Sequence, residues 1–138
     1  MELNEIVIKK FHPHPLYHFV FYFSGVLIFI SGFFFTWYLL LVGVLIFVLG
    51  EVARISETFY VLESGIAREY KLIATSRDFT EYSKIQNIKV RQGFIERIFR
   101  IGNIHIDTAG GDKSEVNFHG VPDPYAVESI IRGKMKIL

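Results

Sequence analysis

Residues 19–50 read FVFYFSGVLIFISGFFFTWYLLLVGVLIFVLG, 32 consecutive positions without a charged side chain. Hydrocarbon disfavours charge and unpaired backbone groups alike, so such a run predicts membrane-embedded helix. As one helix it would be about 48 Å long at about 1.5 Å per residue, far beyond the ~30 Å core of a bilayer. A helical hairpin fits better. Its two transmembrane helices are expected at about 15–35 and about 39–54, joined by a tight turn at Thr36-Trp37-Tyr38.

Charges at the borders give the hairpin a direction. Lys9 and Lys10 precede the first pass, Arg54 follows the second, and the turn carries none. Basic residues accumulate on the cytoplasmic side, so both termini are expected in the cytoplasm, with Trp37 and Tyr38 at the outer interface. The run is too long for a cleaved secretory signal, whose apolar core spans roughly 7–15 residues. Gly25 and Gly32 are seven apart, as are Gly43 and Gly50. That is close to two helical turns, so each pair lines one face and would let two helix backbones approach closely in the membrane. Glu51 and Arg54 are spaced to pair at the cytoplasmic exit.

Composition supports a membrane unit followed by a small soluble one. Of 14 Phe in the 138 residues, half fall between Phe19 and Phe35. From Ser56 onward 12 Lys and Arg face 11 Asp and Glu. Nucleic-acid binding needs a basic surface, so this near balance argues against it. Without Cys there is neither a disulfide framework nor a thiolate metal site. The expected division is 1–55, leader and hairpin, and 56–138, a cytoplasmic domain.

Within 56–138 the hydrophobic period changes from that of a helix to that of a strand. Thr58–Glu63 is rich in β-formers, and Ser64-Gly65 supplies a turn. Ile66, Arg68 and Tyr70 share one face, with Glu69 and Lys71 on the other. Arg77–Tyr82 and Ile88–Gln92 read as strands linked around Ser83–Asn87. Ile104, Ile106 and Thr108 alternate with Asn103, His105 and Asp107, and Val116 and Phe118 with Glu115, Asn117 and His119. Residues 109–113 form the hairpin loop between them. Phe94–Arg100 has helical spacing. Asp123-Pro124 signals the N-cap and first turn of a helix predicted to run to about Arg132, with Gly133 closing it. In the leader, Ile6-Val7-Ile8 is a brief strand candidate, and His12-Pro13-His14-Pro15 cannot be regular helix. Six strands and a terminal helix suggest a small curved antiparallel sheet plugged by that helix.

Several segments in this order resemble the bacterial pleckstrin-homology (PH-like) domain family, the YdbS-like small membrane proteins of bacteria and archaea. They are Phe59–Leu62, Ile85–Gly93, Arg97–Gly111 and Val116–Pro124, with His14-Pro15 ahead of the two passes. The resemblance implies an α+β fold, an antiparallel, partly closed β-barrel capped by a C-terminal helix, cytoplasmic and tethered by the hairpin. It implies no catalysis. Phosphoinositide-binding relatives use a basic first hairpin loop, whereas the turn here is Glu63-Ser64-Gly65, which argues against specific phosphoinositide recognition.

Few side chains suggest chemistry. His12, His14 and His18 lack a neighbouring acid or thiol, so juxtamembrane anchoring is expected rather than a metal. If Thr108 faces Ser114, Asp107 opposes Glu115, a like-charge pair on a solvated face. Gly110-Gly111-Asp112-Lys113-Ser114 lacks phosphate-loop spacing. The basic residues Lys71, Arg77, Lys89, Arg91, Arg97 and Arg100 are candidates for contact with anionic lipid headgroups. No cofactor, catalytic residue or small-molecule substrate is expected. The sequence predicts a non-enzymatic, membrane-tethered module that binds a protein partner or a second copy at the cytoplasmic surface. Anionic-lipid sensing and an accessory role in a membrane complex are the alternatives.

Overall fold

The computed structural model describes residues 6–110 and 116–137. Two antiparallel sheets and two long apolar helices make up most of it. Strand β1 (Val7–Phe11) is followed by a 3-10 turn at Pro15–His18, then α1 (Phe19–Phe34) and α2 (Tyr38–Ser56). Strands β2 (Glu57–Leu62), β3 (Gly65–Lys71) and β4 (Thr75–Glu81) follow, then β5 (Ile85–Arg91), α3 (Phe94–Ile98), β6 (Ile101–Thr108), β7 (Val116–Pro122) and α4 (Pro124–Ile137). The chain passes from α2 into β2 without a linker. The Thr36-Trp37 break falls where the uncharged run predicts it.

The expected partly closed barrel is not what forms. One sheet has the order β1-β2-β3-β4 and the other β5-β6-β7, and the two are not closed into a barrel. Strand β4, TSRDFTE, accounts for the gap. None of its residues is buried, so it gains nothing by following the core round to β5. The sheets instead meet through side chains: Phe59 and Ile66 on one, Ile104, Ile106 and Phe118 on the other, all fully buried. Phe59 and Phe118 stack at 4.7 Å. The fully buried Val127 and Ile131 of α4 complete this core. The alternation of buried and partly buried residues over 103–107 of β6 and 116–120 of β7 follows from one apolar face turned to that core.

Three local expectations need correction. The leader strand runs to Phe11, not Ile8, and pairs with β2 in the register Phe11↔Phe59 and Lys10↔Tyr60, giving seven strands among the described residues rather than six. Phe11 draws it in by packing on Phe59 and Phe118 at 5.4 and 6.0 Å. The link between β4 and β5 is only a 3-10 turn, Tyr82–Lys84. Helix α4 does not stop at Gly133 but continues to Ile137, because Met135 still packs on the core and Lys134 Nζ reaches Glu63 at 3.9 Å. Asp123 precedes α4 at φ +48°, its carbonyl accepting from Ala126 at 3.2 Å. The Asp107–Glu115 pair and the loop at 111–115 lie outside the described residues.

Candidate functional site

The helix pair meets through its glycines. All four, Gly25, Gly32, Gly43 and Gly50, are buried. A Cβ on Gly43 would sit 2.6 Å from the Phe29 amide nitrogen and 2.7 Å from the Gly25 carbonyl. On Gly32 it would meet Leu40, and on Gly50 the Phe21 Cβ, each at 2.8 Å. Tyr22 donates to Glu51 at 2.6 Å, and Glu51 in turn pairs with Arg54, whose Nε lies 2.9 Å away. Arg54 also reaches the Pro13 carbonyl at 3.4 Å. These bonds tie the base of α2 to α1 and to the leader.

The three leader histidines do not converge. His12 Nδ1 lies 2.9 Å from the Glu57 carbonyl oxygen and 3.3 Å from Thr58 Oγ1. His14 Nδ1 accepts from the Leu16 amide at 3.2 Å and so caps the 3-10 turn. His18 stacks edge-on against Tyr17 at 5.1 Å. A second junction joins this turn to β7. The His14 amide donates to the Gly120 carbonyl at 2.7 Å, and Tyr17 stacks on His119 at 5.4 Å. Gly120 has φ +59°, and a Cβ there would lie 2.8 Å from Tyr17. Both its left-handed backbone and the close packing require glycine. Burial holds the His119 imidazole below its ordinary pKa.

The outer face of β6 and β7 is bonded within itself. His105 Nδ1 and Asn117 Oδ1 are 2.7 Å apart, Asn103 Oδ1 accepts from the Gly120 amide at 3.0 Å, and Asp107 pairs with Lys89 at 3.5 Å. No nucleophile–base–acid arrangement emerges from these contacts.

The six basic residues separate into three groups. Lys71 and Arg77 both face Glu69, at 3.0 and 3.9 Å. Lys89 is held by Asp107. Arg91 and Arg97, with Val90, Gln92, Gly93 and Tyr125, line an open groove of about 710 Å³. Arg100 stands exposed next to them at φ +55°. The sequence reading missed Tyr125, the Tyr17–His119 stack and Tyr60, whose ring lies 5.5 Å from Lys10 Nζ and 5.7 Å from the Arg77 guanidinium. Only the left-handed turn at Gly120 had a sequence signal, glycine inside an otherwise alternating strand.

A family model for the bacterial PH domain matches residues 18–135. The chain belongs to the bacterial PH domain family. No curated protein and no solved structure matches it. The match takes in both apolar helices, strands β2 to β7 and most of α4, and leaves out β1. Domains of this family are generally non-catalytic and commonly bind proteins or lipids.

Proposed function

We propose that this bacterial PH domain is a non-enzymatic module tethered to the cytoplasmic membrane, of the YdbS-like kind, and that it captures a protein partner there. Helices α1 and α2 cross the bilayer as a hairpin, with both chain ends in the cytoplasm. What supports the crossing is their exposure. Each is long and apolar enough to span, yet a core helix of that composition would be buried, and these leave most of their large apolar side chains exposed and none buried. Two functional units follow, the hairpin within 1–55 and the sheet domain of 56–138, to which the leader adds β1.

One observation carries the partner-binding reading: β4 is an edge strand with no buried residue and no strand paired along its free side among the described residues. Such an edge offers a row of backbone donors and acceptors to an incoming strand, from a partner or a second copy. Tethering confines it to the surface and raises its effective concentration toward other membrane proteins.

The test is the double variant Ser76→Lys, Asp78→Lys in the full chain. Both positions are exposed, so the melting transition is expected to stay put while co-purification of the partner from native membranes is lost. Undiminished co-purification would refute the edge as the docking surface. Headgroup contact is favoured as a second role by the open groove at Arg91 and Arg97.

A further inference from the structure

The strand registers show which end of each sheet faces the hairpin. In the first sheet α2 enters β2 at Glu57, and Glu57 pairs with Tyr70 while Lys71 pairs with Thr75. The turn between β3 and β4 therefore projects at the level where α2 ends. It presents Leu72 and Ile73, the latter 100% exposed. In the second sheet Gly120 bonds to His14, just before α1. The same end of β7 is paired through Ile101↔Pro122 and Gly102↔Val121, and Arg91 of β5 faces Asn103. Helix α3 joins Arg91 to Ile101, so it sits at that end as well. Its Glu96 lies within electrostatic reach of Tyr17 in the turn that leads into α1.

Helix α3 is apolar on surface that none of the described residues covers. Phe94 is 82% exposed, Ile95 62%, Ile98 63% and Phe99 55%. An apolar cluster of this density on five helical residues and the next is out of place in water. Arg97 and Arg100 are interleaved with it and exposed, and Arg91 borders it. Basic residues mixed with bulky apolar ones are the composition of a segment lying in a membrane interface, guanidinium at phosphate level and rings below.

We propose that α3 and the Leu72-Ile73 turn are interfacial anchors, dipping into the headgroup–acyl boundary of the bilayer that α1 and α2 cross. The sheet domain then rests on the membrane at three places, the hairpin between two shallow contacts, which fixes its tilt and points the β4 edge sideways along the surface. The occupant is lipid rather than protein because both uncovered elements lie at the end from which the membrane helices leave. This rests on the membrane-crossing reading proposed above.

The chain has no Cys, so single nitroxide labels can be placed cleanly. Ile73→Cys, Ile95→Cys and Ile98→Cys would be labelled in the full chain, reconstituted in phosphatidylcholine–phosphatidylglycerol vesicles. Ile30→Cys in α1 and the exposed Ser129→Cys in α4 are the references. The ratio of collisions with dissolved oxygen to collisions with a water-soluble nickel chelate should be about tenfold higher at 73, 95 and 98 than at 129, as burial in the interface requires. If those three match 129 while 30 remains in lipid, the hairpin stands and the anchors are refuted. Protection from both reagents would mean a protein cover and would also refute them. If 30 itself reads as aqueous, the membrane-crossing proposal fails and takes the anchors with it.

Discussion

Where α1 meets α2, the buried residues are Gly25, Gly32, Gly43 and Gly50, whereas no phenylalanine of either helix is buried; Phe33 is 71% exposed. Where the two sheets meet, the buried residues are Phe59, Phe118, Ile104 and Ile106. The two regions are packed inside-out relative to each other. Water drives large apolar groups together in the sheet domain. If α1 and α2 cross lipid as proposed, that force is missing between them, and small residues that let the backbones touch supply much of the contact. The same side chain therefore has opposite value in the two halves.

The largest expected effect breaks this contrast at phenylalanine. Phe118→Ala removes a fully buried ring stacked on Phe59 and should cost about 3–5 kcal/mol. Phe33→Ala in α1 should change stability in lipid by no more than about 0.5 kcal/mol. Denaturant titration of each variant in bilayer discs measures both. Equal losses would mean that α1 packs on protein rather than lipid.

Glycine gives the reverse test. Gly43→Ala drives a methyl into the Phe29 and Gly25 backbones, neither of which can rotate away, so the helices must part at a cost of about 1–3 kcal/mol. Gly133→Ala in α4 meets nothing within 4 Å and should stabilise by about 0.5–1 kcal/mol through helix propensity. Unfolding in mixed micelles reads the first, and a thermal melt the second.

These cases also show how much was legible in the sequence. The pair of apolar helices packed through glycine was, because a charge-free run and glycines at fixed spacing are one-dimensional signals. So was the alternation of β6 and β7. The separation of the sheets was not, since it depends on β4 having nothing to bury, and a polar strand reads the same at an edge or bridging two sheets. The capture of β1 was equally hidden, because Phe11 meets its partners only after α1 and α2 have intervened. Of the six basic residues, composition could not say which pair internally. Glu69 and Asp107 decide that for Lys71, Arg77 and Lys89, leaving Arg91, Arg97 and Arg100 with no ion pair among the described residues.

Tyr82 offers a smaller effect within the sheet domain. Its hydroxyl donates to the Leu62 carbonyl, and burial pushes its pKa from 10.0 up to about 12. Tyr82→Phe removes that buried bond and should cost about 1–2 kcal/mol. With a raised folded pKa, the tyrosine's contribution is whole below pH 10 and falls away between pH 10 and about 12. The variant should lack that part of the alkaline loss, which a pH series of thermal melts would reveal.

The smallest effect lies at the junction of the two regions. His119 stacks on Tyr17 where the leader turns into α1, and burial lowers its pKa from 6.5. Glu57 opposes that lowering, while Arg68 and His105 add to it. A base with a depressed folded pKa is favoured neutral in the native state. The unfolded chain takes up its proton first as pH falls through 6.5, so native stability declines from there until the folded imidazole also titrates. The wild type should melt lower at mildly acidic pH than at neutral pH, and His119→Gln, which cannot titrate, should show a shallower dependence. Identical slopes would mean that the junction is insensitive to the charge on His119, leaving packing alone to join the sheet domain to the helices.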